Sequence, residues 1–542
     1  MARIPNKEKK KKIGFQDKLV LNLFLINQFG IDPLQEQYAG SGSTRRKVRP
    51  FRKLSEKLED CRMEGLADDG LHHFYHQLSD GDFFAAESCR ISRDQLREYE
   101  ENLVRYTAKI NGNRQQPIHW KYYQWLSLLF VEIYFDRYFG NRKKLLGDLN
   151  EFVADFNRCH SDELPMEGYQ EEDLNKLCLQ NATGSGKTLL MVVNYLQFKY
   201  YEAKYGKLTQ DNGLTLLISP NERLGGQDAE EFNRSGFFAT PYSKNAGDQN
   251  IIYTLEVQKL KEKDGDKSVN TASLGNQNLL LIDEGHAGLS SDKEESAWFD
   301  RRSMLCEQGF VFEYSATFKQ AAEGTRHEDN YARAVLFDYS YRWFYEDGYG
   351  KDYQIFNIPK EQNKGILDLY LSGGLLKFYQ QLLIYEDKKS ALYPFNIEKP
   401  LWVWVGHSVG GKGKEEKAAM SDIGRILLFI AEFLKEPEIS RKRITDLLTK
   451  SGAETGLMDS KENDLFAASF AQLKRQKEKI GDTDGTHLYA EILEKLFQSP
   501  RKGHLVLERV KGDSGEILLR VSSARQYFGL INVSGAKELC DY

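Results

Sequence analysis

An α/β fold built on a parallel sheet is predicted by three observations. Short apolar runs recur at Leu177–Gln180, Leu214–Ser219, Leu279–Ile282 and Phe310–Tyr314, each ending in a polar turn. Helical segments alternate with them. The first run leads through a glycine-rich loop into an apolar helix at Leu189–Tyr201. Brief apolar runs bounded by turns suit strands buried on both faces, and strands separated by helices pair in parallel.

Taken in order, residues 1–113 read as a helical N-terminal region with basic clusters at Lys9–Lys12 and Arg45–Lys53 around a Gly/Ser break at Gly40–Ser43. The second cluster, RRKVRPFRK, can meet phosphates with Phe51 stacking, or be a solvated loop, as charge runs usually are. The α/β domain is expected over 114–325 and opens with an aromatic amphipathic helix, WKYYQWLSLLFVEIYFDRYF. A charged, glycine-bearing linker, Gln320–Asn330, leads to an aromatic stretch, and 326–398 is expected to connect rather than build. A second, partial α/β domain is expected over 399–542. Its predicted pieces are a strand at Leu401–Val405, a helix near Lys417–Phe433, a helical insertion at 437–500, and a hairpin joining His504–Val510 to Glu516–Val521.

Bulk properties narrow the class. A chain of 542 residues needs several cores. The most apolar stretch, Trp125–Phe135, is broken by Glu132 and is shorter than the roughly 20 residues a bilayer demands, so no membrane span is expected. The basic start lacks an apolar signal core, which predicts a cytoplasmic protein. Cysteines at 61, 89, 159, 178, 306 and 540 form no CxxC pair and read as reduced thiols. A net charge of -5 argues against a general nucleic-acid coat and requires any such contact to be a local basic groove.

The loop NATGSGKT carries the chemistry. Ala182, Thr183, Gly184, Ser185 and Gly186 can bend so that backbone N–H groups converge on phosphate oxygens, and the helix that follows adds its dipole. Lys187 supplies a point charge and Thr188 a hydroxyl for Mg²⁺, so ATP with Mg²⁺ is the expected ligand. The motif departs from GxxxxGK[ST] only at Asn181. Asp283 and Glu284 end the strand Leu279–Ile282, where one carboxylate can anchor the metal and the other polarise the attacking water. A rival match, GHSVGGK at Gly406–Lys412, has Gly413 where the metal-binding hydroxyl should stand and charged residues after it, so it reads as a structural or DNA-facing loop.

Together the loop, the DEGH of Asp283–His286 and the SAT of Ser315, Ala316 and Thr317 resemble a superfamily 2 helicase of the DEAH type, most of all the helicase subunit of type III restriction enzymes. The resemblance implies a RecA-like domain over 114–325 and a second, incomplete one over 399–542. It implies that Pro220, Arg223 and Gln227, in PNERLGGQ, line a nucleic-acid path, and that His286 and the SAT turn couple that path to the ATP site. It makes Gln124 of KYYQ an adenine contact, with Tyr122 or Tyr123 as a stacker; a helix-surface glutamine is the other reading, because the gap to Lys187 is longer than usual. Duplex DNA is the implied partner, with a methyltransferase or other subunit beside it. A QxxGRxxR-like segment is missing, so the chain is expected to be truncated in its second lobe, and no nuclease residues are identifiable. The expected activity is a DNA-dependent ATPase of translocase type. The alternative is an ATP-gated binding module with little turnover.

Overall fold

The computed structural model describes residues 13–39, 45–80, 88–162, 164–206, 213–243, 246–261, 268–284, 292–359, 363–393, 397–405, 422–510 and 515–532. The chain divides into two compact units, Met1–Asp352 and Tyr353–Tyr542.

In the first unit, β1 (Lys176–Asn181), β2 (Thr215–Ser219), β3 (Ala239–Pro241), β4 (Ile252–Glu256), β5 (Leu279–Asp283), β6 (Phe310–Ser315) and β7 (Val335–Tyr339) form a seven-stranded sheet. Their order is β7-β1-β6-β5-β2-β4-β3, with every pairing parallel. The apolar runs are continuous because both faces are covered: Leu279, Leu281, Phe310 and Phe312 enter one core, while Leu280, Ile282 and Val311 enter the other. Tyr314 of β6 lies opposite Leu179 of β1 and Asp283 of β5, so those two strands end at one edge of the sheet.

The first core also holds α1 (Val20–Asn27), α2 (Arg93–Asn111), α3 (Tyr122–Gly140), α4 (Arg142–Cys159) and α5 (Lys187–Lys204). Helix α3 is not amphipathic as expected. From Tyr122 to Phe135 every residue is buried, since neighbours cover it on all sides. Its Glu132 survives burial by accepting hydrogen bonds from Asn102 and Gln197 at 2.8 Å and from Tyr201 at 2.9 Å. Residues of 1–113 thus share one core with the sheet: Phe24, Leu103, Leu129 and Phe312 belong to a single cluster. The described part of the basic cluster is also structural. Phe51 packs on Phe337 and Trp343, and Arg52 pairs with Glu59 and Asp347.

Three strands of this sheet escape the sequence reading. β3 and β4 are short and mixed in polarity, and β7 lies within 326–398, where a connector was expected. The sheet therefore continues past residue 325.

The second unit contains α6 (Lys364–Leu392), α7 (Asp422–Lys435), α8 (Pro437–Thr449), α9 (Ala471–Ile480) and α10 (Thr486–Phe497), with β8 (Leu505–Arg509), β9 (Glu516–Val521) and β10 (Tyr527–Asn532). β8 and β9 pair as the predicted hairpin, residues 437–500 are largely helical, and β10 extends the hairpin into an antiparallel sheet. The strand expected at Leu401–Val405 joins no sheet. Leu401 and Val405 are 82% and 90% exposed, and Trp402 instead packs on Phe378 of α6. An apolar β-branched run becomes a strand only where a sheet edge is available to pair with it. The rival loop Gly406–Lys412 lies outside the described residues. Among the described residues no helix is long and apolar enough to cross a membrane.

Candidate active site

The loop after β1 is shaped by two glycines in the left-handed region, Gly184 at φ 86° and Gly186 at φ 90°. Gly186 has a second constraint, because a Cβ there would stand 2.6 Å from Gln124 Nε2. The loop is braced from two sides. Ala182 N–H donates to Tyr339 O of β7 at 2.9 Å, and Gln124 Nε2 donates to Ser185 O at 2.8 Å. Ser185 N–H closes back on Ala182 O at 3.1 Å. Helix α5 starts at Lys187, so the first N–H groups of the helix, Lys187 and Thr188 among them, point along the axis without an intrahelical acceptor.

Lys187 Nζ is ion-paired with Glu284 and lies 3.9 Å from Asp283 Oδ1. Glu284 also accepts from Ser315 Oγ at 2.5 Å and from Ala316 N–H at 3.1 Å, which ties the carboxylate to the SAT turn. Burial would raise its proton affinity, but Lys187 and these hydrogen bonds outweigh that and hold it below the usual range. Glu284 also has φ 48°, a strained conformation for a side chain with a Cβ. Asp283 is buried, and burial pushes its carboxyl up to about 6 against the opposing pull of Lys187. Its Oδ1 has no hydrogen-bond partner among the described residues.

Thr188 and Gln124 have partners the sequence did not suggest. Thr188 Oγ1 donates to Asp228 Oδ1 at 2.9 Å. Asp228 lies on helix α11 (Glu222–Arg234), and the motifs of the sequence do not point to it. A signal was available, since Gly225, Asp228, Ala229 and Phe232 are the buried residues at helical spacing, which puts a carboxylate on the inward stripe. Gln124 spends its amide on Ser185 O and its carbonyl on Lys121 N–H at 3.0 Å. Tyr123 is buried and stacks on Tyr339 with ring centroids 3.9 Å apart, while the Tyr122 hydroxyl donates to Asp347.

The remaining residues divide. Pro220 is buried, whereas Arg223 and Gln227 are exposed on the first turns of α11, whose N-cap Asn221 accepts from Leu224 N–H at 3.0 Å. Thr317 N–H donates to Ser315 Oγ at 2.9 Å and shapes the SAT turn. Thr183 sits in the loop beside Gly184, and His286 lies outside the described residues. The structure thus brings the loop, Asp283, Glu284, Ser315 and Ala316 together at one sheet edge.

Comparison with known proteins bears on this same stretch. Residues 132–320 match the family described as type III restriction enzyme, res subunit. Among solved structures, the helicase domain of Pyrococcus furiosus Hef matches at 15% identity over 60% of this chain and 70% of that one. The TM-score of that match is 0.24. No match is found among curated proteins.

Proposed function

We propose that this chain, which in residues 132–320 carries a superfamily 2 helicase domain of the type III restriction res-subunit kind, is a DNA-dependent ATPase of translocase type. The observation that carries the proposal is the placement of Lys187 against Glu284, itself bonded to Ser315 and Ala316. One lysine, one carboxylate and one downstream turn form a chain of contacts that phosphate must rearrange. A phosphate bound in the loop competes with Glu284 for Lys187. Glu284 then keeps its hydrogen bonds to the SAT turn and is free to orient a water. A change at the phosphate is thereby transmitted to the turn.

Thr188 and Asp283 fit Mg²⁺. Both offer hard oxygens, and Asp283 is buried with an unpartnered Oδ1. When bound, Mg²⁺ neutralises charge on the phosphate oxygens. The bracing of Ser185 O by Gln124 supports a role for that residue in loop geometry, beside the adenine contact implied by resemblance. Duplex DNA along the exposed Arg223 and Gln227, with the buried Pro220 shaping the turn before them rather than touching DNA, coupling through His286, a methyltransferase or other partner, a restriction setting and a cytoplasmic location belong to the same proposal.

The test is ATP hydrolysis with and without duplex DNA. DNA should stimulate turnover, and Lys187→Ala should abolish it; hydrolysis unchanged in that variant would sink the proposal. Tight ATP binding without DNA-stimulated turnover would favour the ATP-gated module.

A further inference from the structure

We propose that Asp228 belongs to the metal site: it orients the Thr188 hydroxyl and offers its second oxygen to the hydration shell of the divalent cation that accompanies the nucleotide. The inference rests on the ATP-site reading above.

The first observation is the hydrogen bond. Thr188 Oγ1 donates to Asp228 Oδ1 at 2.9 Å, so the hydroxyl proton is directed to Asp228 and the oxygen lone pairs are left for a cation. The second concerns burial. Asp228 is 4% exposed and Asp283 is 7% exposed, yet Oδ2 of the former and Oδ1 of the latter have no hydrogen-bond partner among the described residues. A buried carboxylate oxygen without a partner is costly, and two such groups in mutual electrostatic contact are costlier still. The Asp228 carboxylate feels the charge of Asp283 directly.

Lys187 relieves this only in part, because its ammonium is paired with Glu284. A divalent cation held by Thr188 and Asp283 would satisfy both orphaned oxygens at once. The placement of Asp228 is built into the fold. Gly225, one turn earlier on α11, has no Cβ, and one placed there would lie 2.7 Å from Ser219 Oγ at the end of β2. That close approach brings the inward stripe of the helix to the edge where Thr188 and Asp283 stand.

The plain alternative is that Asp228 only satisfies a buried hydroxyl. Binding of Mn²⁺ to the full chain, followed by electron paramagnetic resonance with a non-hydrolysable ATP analogue, separates the two. Asp228→Asn should weaken Mn²⁺ binding about 10- to 100-fold, the usual cost of losing a partner behind a metal ligand. Binding of the analogue in the presence of a chelator should stay at the wild-type level. Asp228→Glu, which retains the charge, should recover most of the Mn²⁺ affinity. If Asp228→Asn binds Mn²⁺ as wild type does while Asp283→Asn loses it, the proposal for Asp228 is overturned and the ATP site stands. Equal losses in the Asn and Glu variants, with equal drops in melting temperature, would also overturn it, because packing alone would explain them. If wild type itself retains no Mn²⁺ with the analogue, the ATP-site reading fails and takes this inference with it.

Discussion

Gly186 concentrates two requirements in one residue. Its φ of 90° disfavours any Cβ, and a Cβ there would meet the Gln124 amide at 2.6 Å. Gly186→Ala is therefore expected to distort the loop, with the backbone conformation alone costing about 1–2 kcal/mol. Titration with a fluorescent ATP analogue should show affinity falling by roughly tenfold or more. Wild-type affinity in Gly186→Ala would show that neither constraint limits nucleotide binding. The glycines, Lys187, Asp283 and Glu284 were legible from sequence because their motif spacing is local. Asp228 was not, because its meaning depends on Thr188, which lies across a helix–helix contact.

At the scale of elements, α3 shows what composition conceals. Its aromatic run is plainly helical, yet whether one face is wet depends on neighbours contributed by α1, α2 and α5. Burial makes Glu132 a titrating group, with its carboxyl raised from an ordinary 4.5 to about 7 against three hydrogen bonds that favour the charge. Because the folded value lies above the unfolded one, the protonated form contributes stability that is complete below about pH 4.5. That contribution declines by about 1.4 kcal/mol per pH unit and is lost as pH passes about 7, on the order of 3 kcal/mol in all. Glu132→Gln should remove this slope. Urea unfolding of both proteins between pH 5 and 8 would show it, and parallel pH profiles would contradict the burial argument.

For the whole molecule, the relevant fact is which residues close each core. Among the described residues, both clusters around the parallel sheet draw only on residues before 353, and one of them joins Phe24 and Leu103 to Phe312 and Phe337. A fragment of residues 1–352 is thus expected to fold alone with a cooperative melt. A fragment of 114–352, cut at the boundary suggested by sequence, should not, because it leaves the apolar faces of α3 and β7 uncovered. A sharp thermal transition in the shorter fragment would show that the N-terminal helices are an accessory.

Sequence by itself determined what depends on neighbours along the chain. The phosphate loop, the acidic strand end, the SAT turn, four of the seven strands and the C-terminal hairpin are all written in short-range pattern and spacing. Tertiary structure decided what depends on neighbours across the fold. β7 becomes a strand because β1 offers an edge, whereas Leu401–Val405 finds none and stays outside the sheets. Asp228 faces Thr188, and Tyr339 holds Ala182, for the same reason. Pairing and burial are long-range, and a single chain read in order shows which residues can make a contact before it shows which ones do.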